Sequence, residues 1–156
     1  MVDGQPDLLK GLSQGEVDRT LALGSPINLS SGAELFQLGA QADSLFLIER
    51  GRIRLTLPMQ VRGREEDILV EERMPGQTVG WSALIPPYRF TLKATAPLET
   101  VVIALPREGL RQHFAANPAV GYAVSLNLAA VIGERLQLFQ AMWLREMQRT
   151  VESCRP

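Results

Sequence analysis

Side chains that commonly carry catalysis or bind metals are scarce in this sequence. His113 is the only histidine and Cys154 the only cysteine. A Ser-His-Asp triad needs a histidine beside its nucleophile, and a metal-dependent enzyme needs several ligands of this kind. One thiol forms neither an internal disulfide nor, unaided, a structural zinc site. We therefore expect a protein that is not an enzyme, without metal or cofactor, in a reduced cytoplasmic compartment.

Arginine supplies most of the positive charge, since Lys10 and Lys93 are the only lysines. Guanidinium groups suit two-point contacts with carboxylates and phosphates. Arg50, Arg52 and Arg54 form a basic strip, which is either a partner site or the solvent-facing side of a strand. The formal net charge is −1. This balance predicts no electrostatic attraction to nucleic acid or to an anionic membrane.

The length and composition predict one domain with a single core. The 156 residues are 46% hydrophobic and 21% charged, which is ordinary for a globular domain. The start of the chain lacks the basic and apolar regions of a signal peptide. No apolar run approaches the roughly 20 residues that span a bilayer. We expect a cytoplasmic domain that does not enter membranes.

The chain opens with a short helical zone. Ser13 and Glu16 form the pattern of a capping box, and Val17 and Leu21 follow at helical spacing. The segment 24–26, Gly-Ser-Pro, ends this helix. A preceding turn that packs on the rest of the fold is predicted from three leucines, Leu8, Leu9 and Leu12.

The middle of the chain, from about residue 27 to residue 105, has the pattern of many short strands. Apolar runs lie at 45–48, 53–57, 67–73, 90–95 and 98–105. Glycines at the breaks supply the positive φ that turns need. The polar segment 58–66 contains Gly63 and predicts a hairpin tip. Strands at this spacing indicate an antiparallel barrel or jelly roll.

The last part of the chain is helical. Pro106 suits the start of a helix through Phe114, and Asn117-Pro118 interrupts it before a helical pattern that runs to about Val151. One apolar stripe consists of Leu128, Ile132, Leu136, Phe139 and Trp143. The second stripe consists of Val124, Val131, Leu138 and Met142. Two stripes predict two contacts: one with the strands and one, through the second stripe, with another subunit. In the alternative, both form a single wide stripe that lies on the strands.

This order of segments resembles the sensor domain of the catabolite-activator and fumarate-nitrate regulator superfamily, which is of the cyclic-nucleotide-binding type. Three motifs carry the resemblance: 31–36 with Gly39, 45–55 around the turn glycine Gly51, and 74–80 before the phosphate-binding cassette. The resemblance covers about residues 8–150. It implies a mainly β fold, a double-stranded β-helix or jelly roll, with residues 1–116 forming N-terminal helices and a β-roll and 117–156 a long dimerisation helix.

The resemblance also implies a ligand site at the cassette, a short helix whose first amides hold a cyclic phosphate. Gly80 matches the cassette glycine, but Trp81 replaces the acidic residue that binds the ribose; it either stacks on a flat ligand or plugs the pocket. Tyr88 stands where the family has arginine. Arg89, one position later, either binds an anion or points away. The implied ligand-binding residues are Val79, Gly80, Trp81, Ser82, Ala83, Tyr88, Arg89 and Thr91.

Two functions stay open at this point. In the first, an anionic, nucleotide-like ligand binds in the roll of a homodimer and shifts the long helix. In the second, the chain is a dimeric adaptor whose degenerate pocket no longer binds cyclic nucleotide and whose surfaces bind an unknown protein. The family's helix-turn-helix does not follow the long helix, so the chain is either a stand-alone protein or part of a longer one. We expect no sequence-specific DNA binding by this chain alone.

Overall fold

The computed structural model describes residues 4–154, which form eight strands flanked by helices. The strands are β1 (Ser25–Leu29), β2 (Glu34–Phe36), β3 (Ser44–Arg50), β4 (Ile53–Val61), β5 (Arg64–Arg73), β6 (Thr78–Val79), β7 (Lys93–Thr95) and β8 (Thr100–Pro106). The α-helices are α1 (Gln14–Leu21), α2 (Arg107–Ala116) and α3 (Pro118–Ser153), and two 3₁₀ helices cover Asp7–Leu9 and Trp81–Leu84. The predicted order of helix, strands and long helix is confirmed.

The strands form two four-stranded antiparallel sheets, which together are called the roll below. One sheet has the order β1-β8-β3-β6 and the other β2-β7-β4-β5. Their inward side chains make one core, in which Ile48, Ile53, Leu55 and Val102 are almost fully buried. This is the predicted jelly-roll class of fold, in which the hydrophobic core stabilises two sheets face to face.

The hairpin between β4 and β5 is longer than the sequence predicts. In place of a polar tip over residues 58–66, the strands continue to a two-residue turn at Arg62 and Gly63. Their φ values of 50° and 77° suit the tight turn that joins twisted strands. Pro58 lies inside β4 because the pairing with β7 ends at Thr56, so Pro58 has a neighbouring strand on one side only.

The N-terminal zone folds as the sequence predicts. Ser13 and Glu16 exchange the two hydrogen bonds of a capping box at the start of α1. Leu9 and Leu12 are buried against Val120 on α3. The N-terminal segment therefore attaches the long helix to the roll.

The helix α3 has 36 residues and a length of about 54 Å. Its first half packs on the roll, where Val120, Val124 and Leu128 are buried. From Leu136 to its end the helix extends past the roll, and its side chains are exposed. Among residues 4–154 no helix is both long and apolar enough to cross a membrane.

The division of α3 into one stripe for the roll and another for a second subunit is wrong for the part of the helix that lies on the roll. Val124 from the second stripe and Leu128 from the first are both buried against the roll. At 100° per residue, Leu138 and Met142 continue the roll-facing side, beyond the point where the roll ends. The first stripe drifts away from that side and reaches solvent at Trp143, which is 62% exposed.

Candidate functional site

The predicted cassette forms a compact turn on the edge of the roll. β6 pairs with β3, Gly80 adopts a left-handed conformation with φ 78°, and the 3₁₀ helix follows at once. A Cβ atom on Gly80 would lie 3.1 Å from the ring of Phe90 and 3.2 Å from that of Phe46. The cassette backbone therefore lies directly on aromatic side chains, with Ser82 and Ala83 buried behind it.

Aromatic rings fill the space inside the cassette. Phe36 and Phe90 stack with centroids 3.8 Å apart and planes inclined by 10°, and Phe46 lies 5.9 Å from Phe36. The cavity left between Phe36, Phe90, the cassette and α3 has a volume of about 10 Å³. Small-molecule pockets usually measure roughly 300–1,000 Å³, whereas 10 Å³ holds at most one water. The roll interior is occupied by the protein's own side chains.

Trp81 is covered from outside by α3. The guanidinium carbon of Arg135 lies 5.4 Å from the centre of the indole ring, within cation–π distance. Arg135 also donates from Nε and Nη2 to one oxygen of Glu71, at 3.2 and 2.9 Å. Burial lowers the pKa of the Arg135 guanidinium, and the Glu71 carboxylate acts against this shift. This geometry favours the interpretation of Trp81 as a plug.

A chain of ion pairs, buried at Arg73 and partly buried at the other residues, continues from Arg135 toward the start of the protein. Arg73 donates to Glu71 at 2.8 Å and to Asp7 at 2.6 Å, and only 7% of its side chain is exposed. Asp7 also accepts hydrogen bonds from the Thr78 amide and hydroxyl, just before the cassette. We call Asp7, Arg73, Glu71 and Arg135 the four-charge network. It joins the N-terminal segment, β5, β6 and α3.

The two residues considered for the family's arginine lie outside the roll. Arg89 is exposed and donates from Nη1 to the carbonyl of Gly39 at 3.0 Å. Tyr88 has a φ of 58° and lies beneath the guanidinium of Arg107, 4.3 Å from its ring centre. Thr91 is exposed at the edge of the small cavity. Of the eight candidates, the structure groups five around one turn: Val79, Gly80, Trp81, Ser82 and Ala83.

The lone histidine makes structural contacts. Thr20 donates its hydroxyl hydrogen to the carbonyl of Glu16, so its oxygen accepts from His113 Nε2 at 3.2 Å. The other ring nitrogen lies 3.4 Å from the side-chain amide of Asn117. His113 therefore ties α2 to α1 and to the junction with α3.

The family of the chain is shown by the sequence of its β-roll. Residues 26–117, more than half of the chain, match the cyclic nucleotide-binding domain. The chain belongs to the cyclic nucleotide-binding domain family. It is a cyclic nucleotide-binding-like regulatory domain, and the predicted membership of the sensor-domain superfamily is confirmed.

Solved structures support the same fold. The catabolite activator protein of Thermus thermophilus superposes with a TM-score of 0.74 at 26% identity, over 91% of this chain and 63% of that protein. The N-terminal domain of a transcriptional regulator from Streptomyces coelicolor A3(2) gives a TM-score of 0.69 at 24% identity, over 82% of this chain and 89% of that one. Among curated proteins, none matches the sequence.

Proposed function

We propose that this domain is a dimeric regulatory module that acts through protein contacts and does not bind cyclic nucleotide inside its roll. The observation that carries the proposal is the filled interior, in which Phe36 stacks on Phe90 and about 10 Å³ remains. A nucleotide could enter only if these rings left their stacked positions. Exposing them would cost several kcal/mol, because each large aromatic contributes about 2–3 kcal/mol by burial.

The polar side of the cassette supports the same proposal. Trp81 offers no acceptor for a ribose hydroxyl, and Arg89 is held at the Gly39 carbonyl outside the roll. A hydrogen bond to a charged group contributes roughly 1.5–3 kcal/mol, so each missing contact weakens binding about tenfold or more. Together, the two missing contacts and the filled cavity favour the adaptor over the nucleotide sensor.

Dimerisation is supported by the face of α3 opposite the roll. Positions on this face alternate at spacings of four and three, which is the heptad pattern of a coiled coil. Its large side chains are well exposed, for example Leu136 at 56% and Trp143 at 62%. Gly133 permits close approach, and Gln140 is a polar position that can fix the register. We call this row the α3 seam: Tyr122, Leu126, Ala129, Gly133, Leu136, Gln140, Trp143 and Met147.

Calorimetric titration with cyclic AMP tests the closed interior. We expect the full chain not to bind cyclic AMP at micromolar ligand concentrations. We expect the same of Trp81→Glu, because that change restores an acceptor for the ribose hydroxyl but leaves the phenylalanines in place. Submicromolar binding by the unmodified chain would overturn the proposal. Binding by Trp81→Glu alone would show that the tryptophan, and not the aromatic stack, closes the pocket.

A further inference from the structure

Outside the roll, the 3₁₀ helix of the cassette borders a groove of about 510 Å³. The groove lies between this helix and the two C-terminal helices, and its size is typical of small-molecule pockets. Its apolar lining comes from all three elements: Leu84, Phe114, Val124 and Leu128. It is thus about fifty times larger than the cavity inside the roll and is separate from it.

Positive charge lines one wall of the groove. Arg107 and Arg111 lie one turn apart on α2, with Glu108 between them. Glu108 on the wall and the exposed Asp43 beside Arg107 offset these two charges, so an anion would be held by free guanidinium donors and not by a net positive charge.

The Arg107 guanidinium is positioned but not saturated. It lies over the ring of Tyr88 and donates to the Ala42 carbonyl at 3.3 Å and to Asp43 at 3.4 Å. Both distances exceed the usual 2.7–3.2 Å of such bonds, and a guanidinium has five N–H donors. Asp43 is 70% exposed, so water weakens its hold on Arg107.

Arg111 has a carboxylate partner, Glu108, that a bound anion can replace. It donates to Glu108 at 3.0 and 3.1 Å, but both side chains are more than half exposed. An exposed pair of this kind contributes little to stability and exchanges partners readily.

We propose that this groove binds a small amphipathic carboxylate. Its apolar body packs on Leu84, Phe114 and Leu128, and its carboxylate accepts hydrogen bonds from Arg107 and Arg111. Neutral ligands of the same shape lack the charged contacts, and the two arginines offer a cation no acceptor. Because the cassette and both C-terminal helices form the walls, a bound carboxylate holds these three elements together. The site lies outside the roll and does not depend on the closed interior or on dimerisation.

The test uses three eight-carbon probes with the full chain: sodium octanoate, 1-octanol and octylammonium chloride, each followed by calorimetry. Octanoate should bind about tenfold more tightly than octanol. Octylammonium should bind no better than octanol.

Variants locate the site. Ser125 lines the groove and is exposed on α3. The variant Ser125→Trp should therefore fill the groove and weaken octanoate binding at least tenfold. Arg111→Gln should weaken it about fivefold. Arg149→Gln is the matched control, since Arg149 pairs with Glu146 at the same spacing and similar exposure far from the groove.

Three results would overturn the proposal. The first is equal affinity for octanoate and octanol. The second is unchanged octanoate binding by both Ser125→Trp and Arg111→Gln, which would place the probe elsewhere, for example on exposed α3. The third is no octanoate binding below the concentration at which it forms micelles. Circular dichroism of each variant verifies that the fold is retained.

Discussion

The Arg135 side chain is mostly buried between apolar positions of α3, where it contacts a carboxylate and an aromatic face. Leaving water costs a guanidinium several kcal/mol, and a single ion pair often fails to return that amount. Here Glu71 accepts two hydrogen bonds and Trp81 contributes a cation–π contact. The residue therefore specifies where α3 lies on the cassette more than it adds to stability.

Gly51 supports a prediction at the scale of one residue. Its φ is 86°, and a Cβ atom there would lie 2.6 Å from the carbonyl oxygen of Glu99. Gly51→Ala should lower the free energy of unfolding by about 3 kcal/mol, from the left-handed backbone and the required shift of the neighbouring strand. Gly63→Ala is the matched control with φ 77° and open space, and it should cost about 1 kcal/mol. Equal losses in urea denaturation would contradict the steric part of this argument.

The structural roles of Gly51 and Arg135 can be predicted from the sequence to different degrees. Glycines at turns can be located because their position between apolar runs is a local property, as at Gly51. Arg135 was missed, although a charged residue at helical spacing from Leu128, Val131, Leu138 and Met142 is a usable signal. Its partner Glu71 could not be assigned, because the pairing depends on how α3 lies across β5.

At the scale of the element, α3 has two different environments along its length. Its first half uses one face to pack on the roll, and its second half has no neighbour within the described chain. An isolated helix of this kind exposes large apolar side chains, which usually mark an interaction surface. The seam on the opposite face spans both halves, so one partner helix can cover all of it.

Charges in the α3 seam should therefore dissociate the dimer that we propose. In the double variant Leu136→Lys, Trp143→Lys, the lysines of the two subunits would face each other across the seam. Their repulsion should raise the dissociation constant of the dimer by at least about 100-fold. Leu138→Lys with Met142→Lys is the matched control, because both side chains point to the roll-facing side and should leave the dimer intact. Sedimentation at micromolar concentration distinguishes these cases. A monomeric unmodified chain, or a monomeric control, would disprove this seam.

The element boundaries show which predictions the sequence supports. The start of α1 and the break at Asn117 are set by local capping and proline chemistry, and both were predicted. The extent of β4 and β5 was not, since Pro58 is tolerated only because β7 ends beside it. The face of α3 that we propose for the dimer could not be located from two apolar stripes, because the length of the roll decides where packing stops.

At the scale of the whole molecule, the four-charge network links parts of the chain that are distant in sequence. Asp7 holds the N-terminal segment against β6, Arg73 and Glu71 come from β5, and Arg135 comes from α3. Two acids balance two arginines in a partly buried site. The network therefore connects α3 to Thr78, at the approach to the cassette.

Removing both ends of the four-charge network should cost less than the sum of the single losses. Asp7→Asn leaves two arginines with one acid, and Arg135→Met leaves one arginine with two acids; each should destabilise the fold by about 2–3 kcal/mol. The double variant keeps Arg73 paired with Glu71 one to one, so its loss should be smaller than the sum by about 1 kcal/mol. Asp7→Asn combined with Arg149→Met is the control and should be additive within about 0.5 kcal/mol. Denaturant unfolding of the single and double variants measures both cycles, and additivity between Asp7 and Arg135 would show that the charges act as separate pairs.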